Sequence, residues 1–496
     1  MAHALNSEQN IAVCTIGGPV LILAGAGTGK TRVITHRIAR MISKGIPPEN
    51  ILAVTFTNKA AREMQGRVTK ILPRRRRRDQ EDQEAKPKRP TICTFHSLGV
   101  RILRQHINVL GHKRNFVIYS ESDQLGAIKK ILSHIATGEE KTDPAAILSL
   151  LSRYRNGGEQ TDVTFADAKV RAMTERIEER YAATLKACNA IDFDDLILLT
   201  LKLLREHPKV LEACRRQYRY VMVDEYQDTN AKQFELVRLL TEEHRNLCVV
   251  GDDDQSIYSW RGAEIANLLN FEKYYPEVKL VKLEQNYRST NAILKAANAL
   301  IRNNARRKPK SLWSENGYGN RIQLATYADE EEEAKRVVEE IEFRRLAQKT
   351  PWADQAILFR TNQQSRTLET ALRAAKVRYR LVGGQSFFDR REIRDFVAYL
   401  KTVLNPNDDI SLLRIANVPA RGISDKTAQV LLALSQEHRC SVFQVMRQAG
   451  HRSDLSRPAK RGIAELGQLI EHAREDIENN PIQLSDWAQR LLDQTQ

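Results

Sequence analysis

The sequence contains no Cys-x-x-Cys pair; its six cysteines, Cys14, Cys93, Cys188, Cys214, Cys248 and Cys440, are scattered, several inside apolar runs. That spacing gives no ground for a zinc site and reads as reduced, mostly buried thiols of a cytoplasmic protein rather than a disulfide framework. No apolar run approaches the ~18 residues of a membrane-spanning helix, and Met1-Ala2-His3-Ala4-Leu5-Asn6 lacks a signal-peptide pattern. Neither membrane insertion nor secretion is therefore expected. There is also no internal repeat of fixed period. Acid is in deficit: 62 Asp and Glu face 78 Lys and Arg, a net charge of +16, which suits a polyanionic partner, most economically nucleic acid. The length allows about three or four domains with sizeable cores.

What is present begins with Pro19-Val20-Leu21-Ile22-Leu23, an apolar run that enters Ala24-Gly25-Ala26-Gly27-Thr28-Gly29-Lys30-Thr31 and opens the helical pattern Arg32-Val33-Ile34-Thr35-His36-Arg37-Ile38. Strand, glycine-rich loop and helix are the context a phosphate-binding loop requires. Small residues let the backbone curl its N–H groups around a polyphosphate, and the helix adds the positive end of its dipole. Lys30 would reach the β- and γ-phosphates, and Thr31 would hold Mg²⁺.

Upstream, Leu5-Asn6-Ser7-Glu8-Gln9 before Ile11-Ala12-Val13 reads as a capped short helix. Gln9 is either a surface residue or a group that donates and accepts at once on the edge of adenine. Downstream, Ile51 to Phe56 is a buried-strand pattern followed by an N-capped helix, Thr57 to Met64, and Thr91 to Leu98 repeats the arrangement. Such alternation predicts a parallel sheet with ligands beyond the strands' carboxyl ends. Phe56 and Phe95 fall at such ends, each either a core aromatic or a ligand-facing one. Between the two passages lie five adjacent arginines, Arg74 to Arg78, a solvated loop. Residues 111–190 turn helical, which suggests an inserted helical domain, and Asp192-Phe193-Asp194-Asp195-Leu196 opens a further helix with acids in its first turn.

Val221-Met222-Val223-Asp224-Glu225 is an apolar strand ending in adjacent acids. After a phosphate-binding loop, such a strand supplies the metal-side acid: Asp224 would hold Mg²⁺ through water, and Glu225 would position the water that attacks the γ-phosphate. Leu247 to Gly251 is another strand, running into Asp252-Asp253-Asp254-Gln255-Ser256-Ile257-Tyr258-Ser259-Trp260-Arg261-Gly262. Gln255 is placed to sense the γ-phosphate, while Tyr258, Trp260 and Arg261 offer stacking faces and charge for single-stranded bases. A structural aromatic cluster is the competing reading of Tyr258 and Trp260, and a polar loop argues against it. Leu283 to Thr290 ends one more strand and opens a helix. Alternation then resumes with a strand at Arg321 to Thr326, a helix at Glu330 to Ala347 and a strand at Gln355 to Arg360, a second α/β domain. Beyond the turn Val382 to Asp389 the pattern is predominantly helical.

The blocks Leu5–Gln9, Ala24–Thr31, Thr55–Met64, Thr94–Gly99, Val223–Asn230, Gly251–Ala263, Leu283–Ser289 and Gly383–Glu392 stand in the order found in UvrD/Rep-like superfamily 1 DNA helicases. The sequence resembles that family over essentially its whole length. The resemblance implies an α/β fold: two RecA-like parallel-sheet domains of the P-loop NTPase type with two helical insertions. Domain 1A would take 1–110 and 191–281, insertion 1B 111–190, domain 2A 282–380 and insertion 2B 381–496. It implies ATP and Mg²⁺ bound between 1A and 2A by Gln9, Ala24, Gly25, Ala26, Gly27, Thr28, Gly29, Lys30, Thr31, Arg32, Tyr287 and Arg288. Tyr287 would stack on adenine and Arg288 would contact the γ-phosphate. Catalytic roles fall to Lys30, Glu225, Gln255 and Arg288, and metal binding to Thr31 and Asp224. Single-stranded DNA, and its junctions with duplex, would be met by Phe56, Asn58, Thr94, Phe95, His96, Phe193, Tyr258, Trp260, Arg261, Arg360 and Asn362. The implied activity is ATP-driven 3′-to-5′ translocation and unwinding in replication or repair, by a monomer or weak dimer with partners from those pathways.

Members of the family carry two more motifs, a Gly-Leu-Glu-containing block and an Arg-rich block with a second γ-phosphate arginine, and neither occurs in these 496 residues. Domain 2A is accordingly expected to be incomplete and 2B truncated; if the 496 residues are the whole protein, the alternative to the helicase reading is a form that binds ATP and single-stranded DNA with weak hydrolysis and no processive unwinding. Two other classes stay open. One is a nucleotide-gated DNA-binding protein that does not move. The other is a non-helicase phosphate-loop ATPase whose strand-end aromatics belong to the core.

Overall fold

The computed structural model describes residues 4–72, 88–135, 143–157, 165, 167–382, 391–438, 440–448, 455–479 and 483–495. The arginine run at 74–78 and the turn at 383–389 lie outside them. Residues 1–319 with 398–496 form one compact unit, and residues 320–397 a second.

The first unit is built on a six-stranded sheet of β1 (Val20–Ala24), β2 (Ile51–Thr55), β3 (Thr91–Thr94), β6 (Tyr220–Val223), β7 (Leu247–Gly251) and β8 (Lys279–Leu283), in the order β3-β2-β6-β7-β1-β8. Every neighbouring pair is parallel. β1 and β2 are buried at every residue, because a parallel sheet is covered on both faces and so demands apolar side chains at both phases of the pleat. The two phases separate cleanly. Leu21, Leu23, Leu52, Val54, Val221, Val223, Leu247 and Val249 join one core with Leu98, Ile102, Leu196, Leu201 and Leu236. Val20, Ile22, Ala24, Ile51, Ala53, Met222, Cys248 and Val250 join the other with Ala12, Val33, Ile34, Ile38, Met64 and Val68. Three helices supply that second core: α1 (Ser7–Cys14), α2 (Lys30–Ser43) and α3 (Asn58–Ile71). On the opposite face lie α4 (Phe95–His106) and the helices Phe193–Glu206 and Ala231–Thr241. Each fully buried Leu, Ile or Val contributes about 1.5–3 kcal/mol relative to exposure, so the sheet is the rigid platform from which the loops at its carboxyl edge project.

Residues 111–190 are not wholly helical as expected. β4 (Val117–Ile118) pairs in parallel with β5 (Ala190–Ile191), so the chain leaves and returns at one place. Beyond that bridge, α5 (Glu121–Ile135), α6 (Pro144–Asn156) and the helix Ala168–Ala187 enclose a separate core of Ala127, Ile128, Ile147, Leu151, Ile177, Tyr181 and Leu185. Helices at Asp409–Ile415, Asp425–Glu437, Val442–Arg447, Arg457–Asn479 and Leu484–Gln494 complete the first unit. Lys401 Nζ pairs with Asp123 at 2.6 Å and Asn405 Nδ2 donates to the Cys188 carbonyl at 3.0 Å, tying this part to the inserted core.

In the second unit, helices Glu330–Ala347 and Gln364–Ala374 pack through Val338, Leu372 and Val377. The strands expected at 321–326 and 355–360 are not formed. Leu324 is 93% and Leu358 94% exposed. An apolar run becomes a strand only when a neighbouring strand takes its N–H and C=O groups, and among the described residues no strand pairs with either segment. Among them, too, no helix is long and apolar enough to cross a membrane.

Candidate functional site

The loop between β1 and α2 is shaped by glycine where side chains would not fit. Gly27 and Gly29 sit at φ +71° and +91°, a region L side chains rarely adopt. A Cβ at Gly27 would lie 2.6 Å from Asn286 Nδ2 and 2.8 Å from the Arg288 Cβ, and one at Gly29 2.9 Å from Gln9 Nε2. Gly29 is the N-cap of α2 and no side chain bonds its first N–H groups, which leaves those donors and the helix dipole directed into the loop. Thr28 Oγ1 donates to the Gly25 carbonyl at 2.8 Å and closes the turn from within. Gln9, fully buried, braces it from below: Nε2 donates to the Thr28 carbonyl at 2.9 Å, and Oε1 accepts from Asn6 N–H in the capping box of α1. Thr31 and Arg32 follow in the first turn of α2, both half-buried.

Lys30 Nζ meets Glu225 Oε2 at 2.6 Å, joining the loop to the end of β6. Glu225 holds φ +51° and ψ +47°, a left-handed conformation costing of order 1 kcal/mol or more for a residue with a Cβ. That strain turns the carboxylate back towards the loop. Gln227 Nε2 donates to the same Oε2 at 2.9 Å, and Gln227 Oε1 accepts from Asp252 N–H at 3.0 Å after β7. Asp224 is buried beside Glu225. Burial first, and the neighbouring carboxylate second, push its pKa up to about 7 against the pull of Lys30. Asp228 rises to about 6 for the same two reasons, and its Oδ1 is buried without a hydrogen-bond partner. Carboxylates this short of counter-charge suit a divalent cation. The donor set of Thr31 hydroxyl and Asp224 carboxylate beside an uncapped helix start therefore fits Mg²⁺ with a polyphosphate.

The block after β8 is clamped onto the loop. Tyr287 N–H donates to the Gly27 carbonyl at 2.9 Å and Asn286 Nδ2 to the Ala26 carbonyl at 2.6 Å. Asn286 Oδ1 in turn accepts from the N–H groups of Arg288 and Ser289. Tyr287 is 36% exposed, its hydroxyl on Gln285 Oε1, to which Asn6 Nδ2 also donates. The Arg288 side chain is exposed beside the loop. After β7, Gln255 Nε2 donates to Asp252 Oδ2. The carboxylates of Asp252, Asp253 and Asp254 all face Lys310 Nζ, at 2.9, 2.5 and 2.8 Å, and Arg307 forks onto Asp254 with two bonds of 2.9 Å.

At the neighbouring strand ends the character changes. Phe56 stacks on Tyr258 with centroids 5.2 Å apart, and Tyr258 leans on Trp260 at 6.4 Å. Trp260 is 62% exposed and Phe193 51%, the latter touched edge-on by His96 at 5.7 Å. Asn58 is exposed at the start of α3. Two residues expected on this surface are not on it. Phe95 is 4% exposed within the sheet's core, since the first turn of α4 directs it down onto the sheet. Thr94 is 6% exposed and its hydroxyl caps α4, accepting from Ser97 N–H at 3.2 Å. Arg261 lies in a short turn and its side chain is outside the described set. Arg360 and Asn362 belong to the second unit, where both are exposed.

Several working residues escaped the sequence reading. Asn286 and Gln227 lie inside blocks that were picked out, so a role for them was within reach. Lys310 and Arg307 fall in a basic stretch, Arg306-Arg307-Lys308-Pro309-Lys310, in which nothing local marks the Lys310 side chain as 3% exposed.

Residues 5–276 match the UvrD/REP helicase N-terminal domain and residues 281–453 the UvrD-like helicase C-terminal domain. The chain is 45% identical over 457 residues to the ATP-dependent DNA helicase PcrA of Staphylococcus aureus strain Mu50, covering 90% of this chain and 60% of that protein. It is 43% identical over 499 residues to the ATP-dependent DNA helicase PcrA of Bacillus subtilis strain 168, covering 100% of this chain and 66% of the relative. The chain thus spans about three-fifths to two-thirds of the length of these curated relatives.

Proposed function

The chain belongs to the UvrD/REP helicase family, and from that premise we propose that it is an ATP-driven motor on single-stranded DNA, moving 3′ to 5′ and separating duplex. The observation that carries the reading is the clamp of residues 285–288 on the phosphate loop, which brings an exposed tyrosine and an exposed arginine to the same turn as Lys30. On this reading the backbone of residues 25–29 and the start of α2 bind the polyphosphate, and Lys30 exchanges Glu225 for it. Glu225, released from the lysine, holds the attacking water and takes its proton. Arg288 steadies the charge that develops on the γ-phosphate, and Gln255 senses it. Thr31, and Asp224 through water, would hold Mg²⁺, which when bound neutralises phosphate charge. Phe56, Tyr258 and Trp260, with His96 and Phe193, offer faces on which successive bases stack. The division into 1A, 1B, 2A and 2B, a cytoplasmic setting and a place in DNA replication or repair belong to the same proposal.

The test is steady-state ATPase with and without oligo(dT), together with stopped-flow translocation on strands labelled at the 5′ end and strand displacement from 3′-tailed duplex. ATP turnover should rise on DNA, and the arrival signal should lag in proportion to strand length. DNA binding without a length-dependent lag would make the chain a nucleotide-gated binding protein. ATPase with neither stimulation nor DNA affinity would make it an ATPase of another kind.

A further inference from the structure

We propose that Lys310 is a positioning residue that ties the loop after β7, bearing Gln255, Tyr258 and Trp260, to the segment presenting Tyr287 and Arg288, so that nucleotide and DNA are read together. The inference rests on the motor reading above and adds a residue to it. The Lys310 side chain is 3% exposed, and its ammonium lies within 2.9 Å of Asp252, Asp253 and Asp254 at once. Three adjacent carboxylates repel one another, and a buried lysine loses its hydration. Each alone is unfavourable, and the two offset one another only where charge and hydrogen-bond geometry are good. Arg307 on Asp254, and Lys308 N–H donating to Asp253 Oδ2 at 2.7 Å, fix that geometry from the same short segment.

The cluster is continuous with both sites. Asp252 accepts from Gln255 Nε2, and its own N–H reaches Gln227 Oε1. Gln227 Nε2 bonds Glu225 Oε2, and Glu225 pairs with Lys30. On its other side, the segment continues to Trp313, whose carbonyl accepts from Asn286 N–H at 2.7 Å and whose N–H donates to the Glu284 carbonyl at 3.2 Å. Asn286 is the residue that clamps the phosphate loop and holds Arg288 N–H. Lys310 therefore stands where a shift of the arginine-bearing block must move Asp252, and with it Gln255 and the aromatics that follow. Lys310 acts through Asp252.

The experiment uses the 496-residue chain and two variants, Lys310→Met and Lys310→Met with Asp253→Asn. The second removes one of the carboxylates that the lost lysine leaves uncompensated, without touching Asp252. ATP turnover with and without oligo(dT), affinity for a fluorescent ATP analogue, affinity for oligo(dT) and thermal unfolding are measured for each. Both variants should keep nucleotide and DNA affinity near the parent's while DNA stimulation of turnover falls about 10-fold or more, since small misplacements of a catalytic group have effects of that order. The double variant should recover melting temperature and leave stimulation lost. Undiminished stimulation in Lys310→Met, or recovery of stimulation along with stability in the double variant, overturns the positioning role. Should Lys310→Met fail to fold, the double variant decides by the same criterion. A parent chain that binds ATP but is not stimulated by DNA would defeat the motor reading itself, a result distinguishable from the loss of coupling in a variant alone.

Discussion

One edge of one parallel sheet carries two surfaces of opposite character. At the ends of β1, β6 and β7 the chain offers glycines in left-handed conformations, an uncapped helix start and carboxylates in direct contact with the ammonium groups of Lys30 and Lys310. At the ends of β2 and β3 it offers an exposed asparagine, a histidine edge and aromatic rings, which the loop after β7 extends with Tyr258 and Trp260. The first surface is held in place by named hydrogen bonds and ion pairs while it leaves the first N–H groups of α2 without a side-chain cap; the second presents large apolar faces to solvent. A polyphosphate of fixed shape rewards rigid donors, whereas a strand of varying sequence rewards flat faces that every base can stack on. The loop after β7 belongs to both, with Gln255 facing one and Trp260 the other.

If the two surfaces are separable, the largest effect comes from Lys30. Lys30→Ala removes the ammonium at the transferring phosphate, and ATP turnover should fall by about 10³-fold or more, while oligo(dT) affinity without nucleotide stays near the parent's. Equal loss of both would show that the surfaces are one. Glu225→Gln sharpens the same side. The amide cannot take a proton from water, so turnover should drop about 10²-fold or more with ATP affinity retained, as read by turnover against binding of a fluorescent analogue. If affinity falls in step with turnover, Glu225 is a ligand of the metal rather than the base. On the other surface, Trp260→Ala removes a 62%-exposed ring and should weaken oligo(dT) binding by about 1–3 kcal/mol, roughly 5- to 150-fold. DNA-free ATP turnover should be unchanged.

The nucleotide surface was the more legible in the sequence because its chemistry is local. Gly-x-Gly-Lys-Thr after an apolar run, and paired acids at the end of another, each carry their own constraint within a few residues. Lys310 was not legible, since its burial depends on three acids more than fifty positions away. The strands read at 321–326 and 355–360 failed for a related reason: alternation is local, but pairing is not, and the segments have no partner strand among the described residues. Thr94 and Phe95 mark a third limit. Spacing located the end of β3 correctly, but which side of a helix start faces the sheet is set by the turn of α4, not by nearness to the strand's end.

Phe95 and His96 give the smallest and most exacting test of the division. They are adjacent, yet Phe95 lies in the core with Leu52, Val54, Leu98 and Leu196, while His96 touches the exposed ring of Phe193. Phe95→Leu keeps most of the buried volume and should cost about 1 kcal/mol of stability, seen as a modest fall in Tm, because a near-isosteric apolar exchange leaves only a small cavity. Oligo(dT) affinity should stay near that of the parent chain, since no face of Phe95 is available to a base. His96→Ala should show the reverse, an unchanged Tm with weaker DNA binding, because the Phe193 ring loses the ring packed against it. A Phe95→Leu variant that lost DNA affinity to the extent of Trp260→Ala would return Phe95 to the DNA surface. The boundary between core and contact face would then have to be drawn one residue earlier, at Thr94.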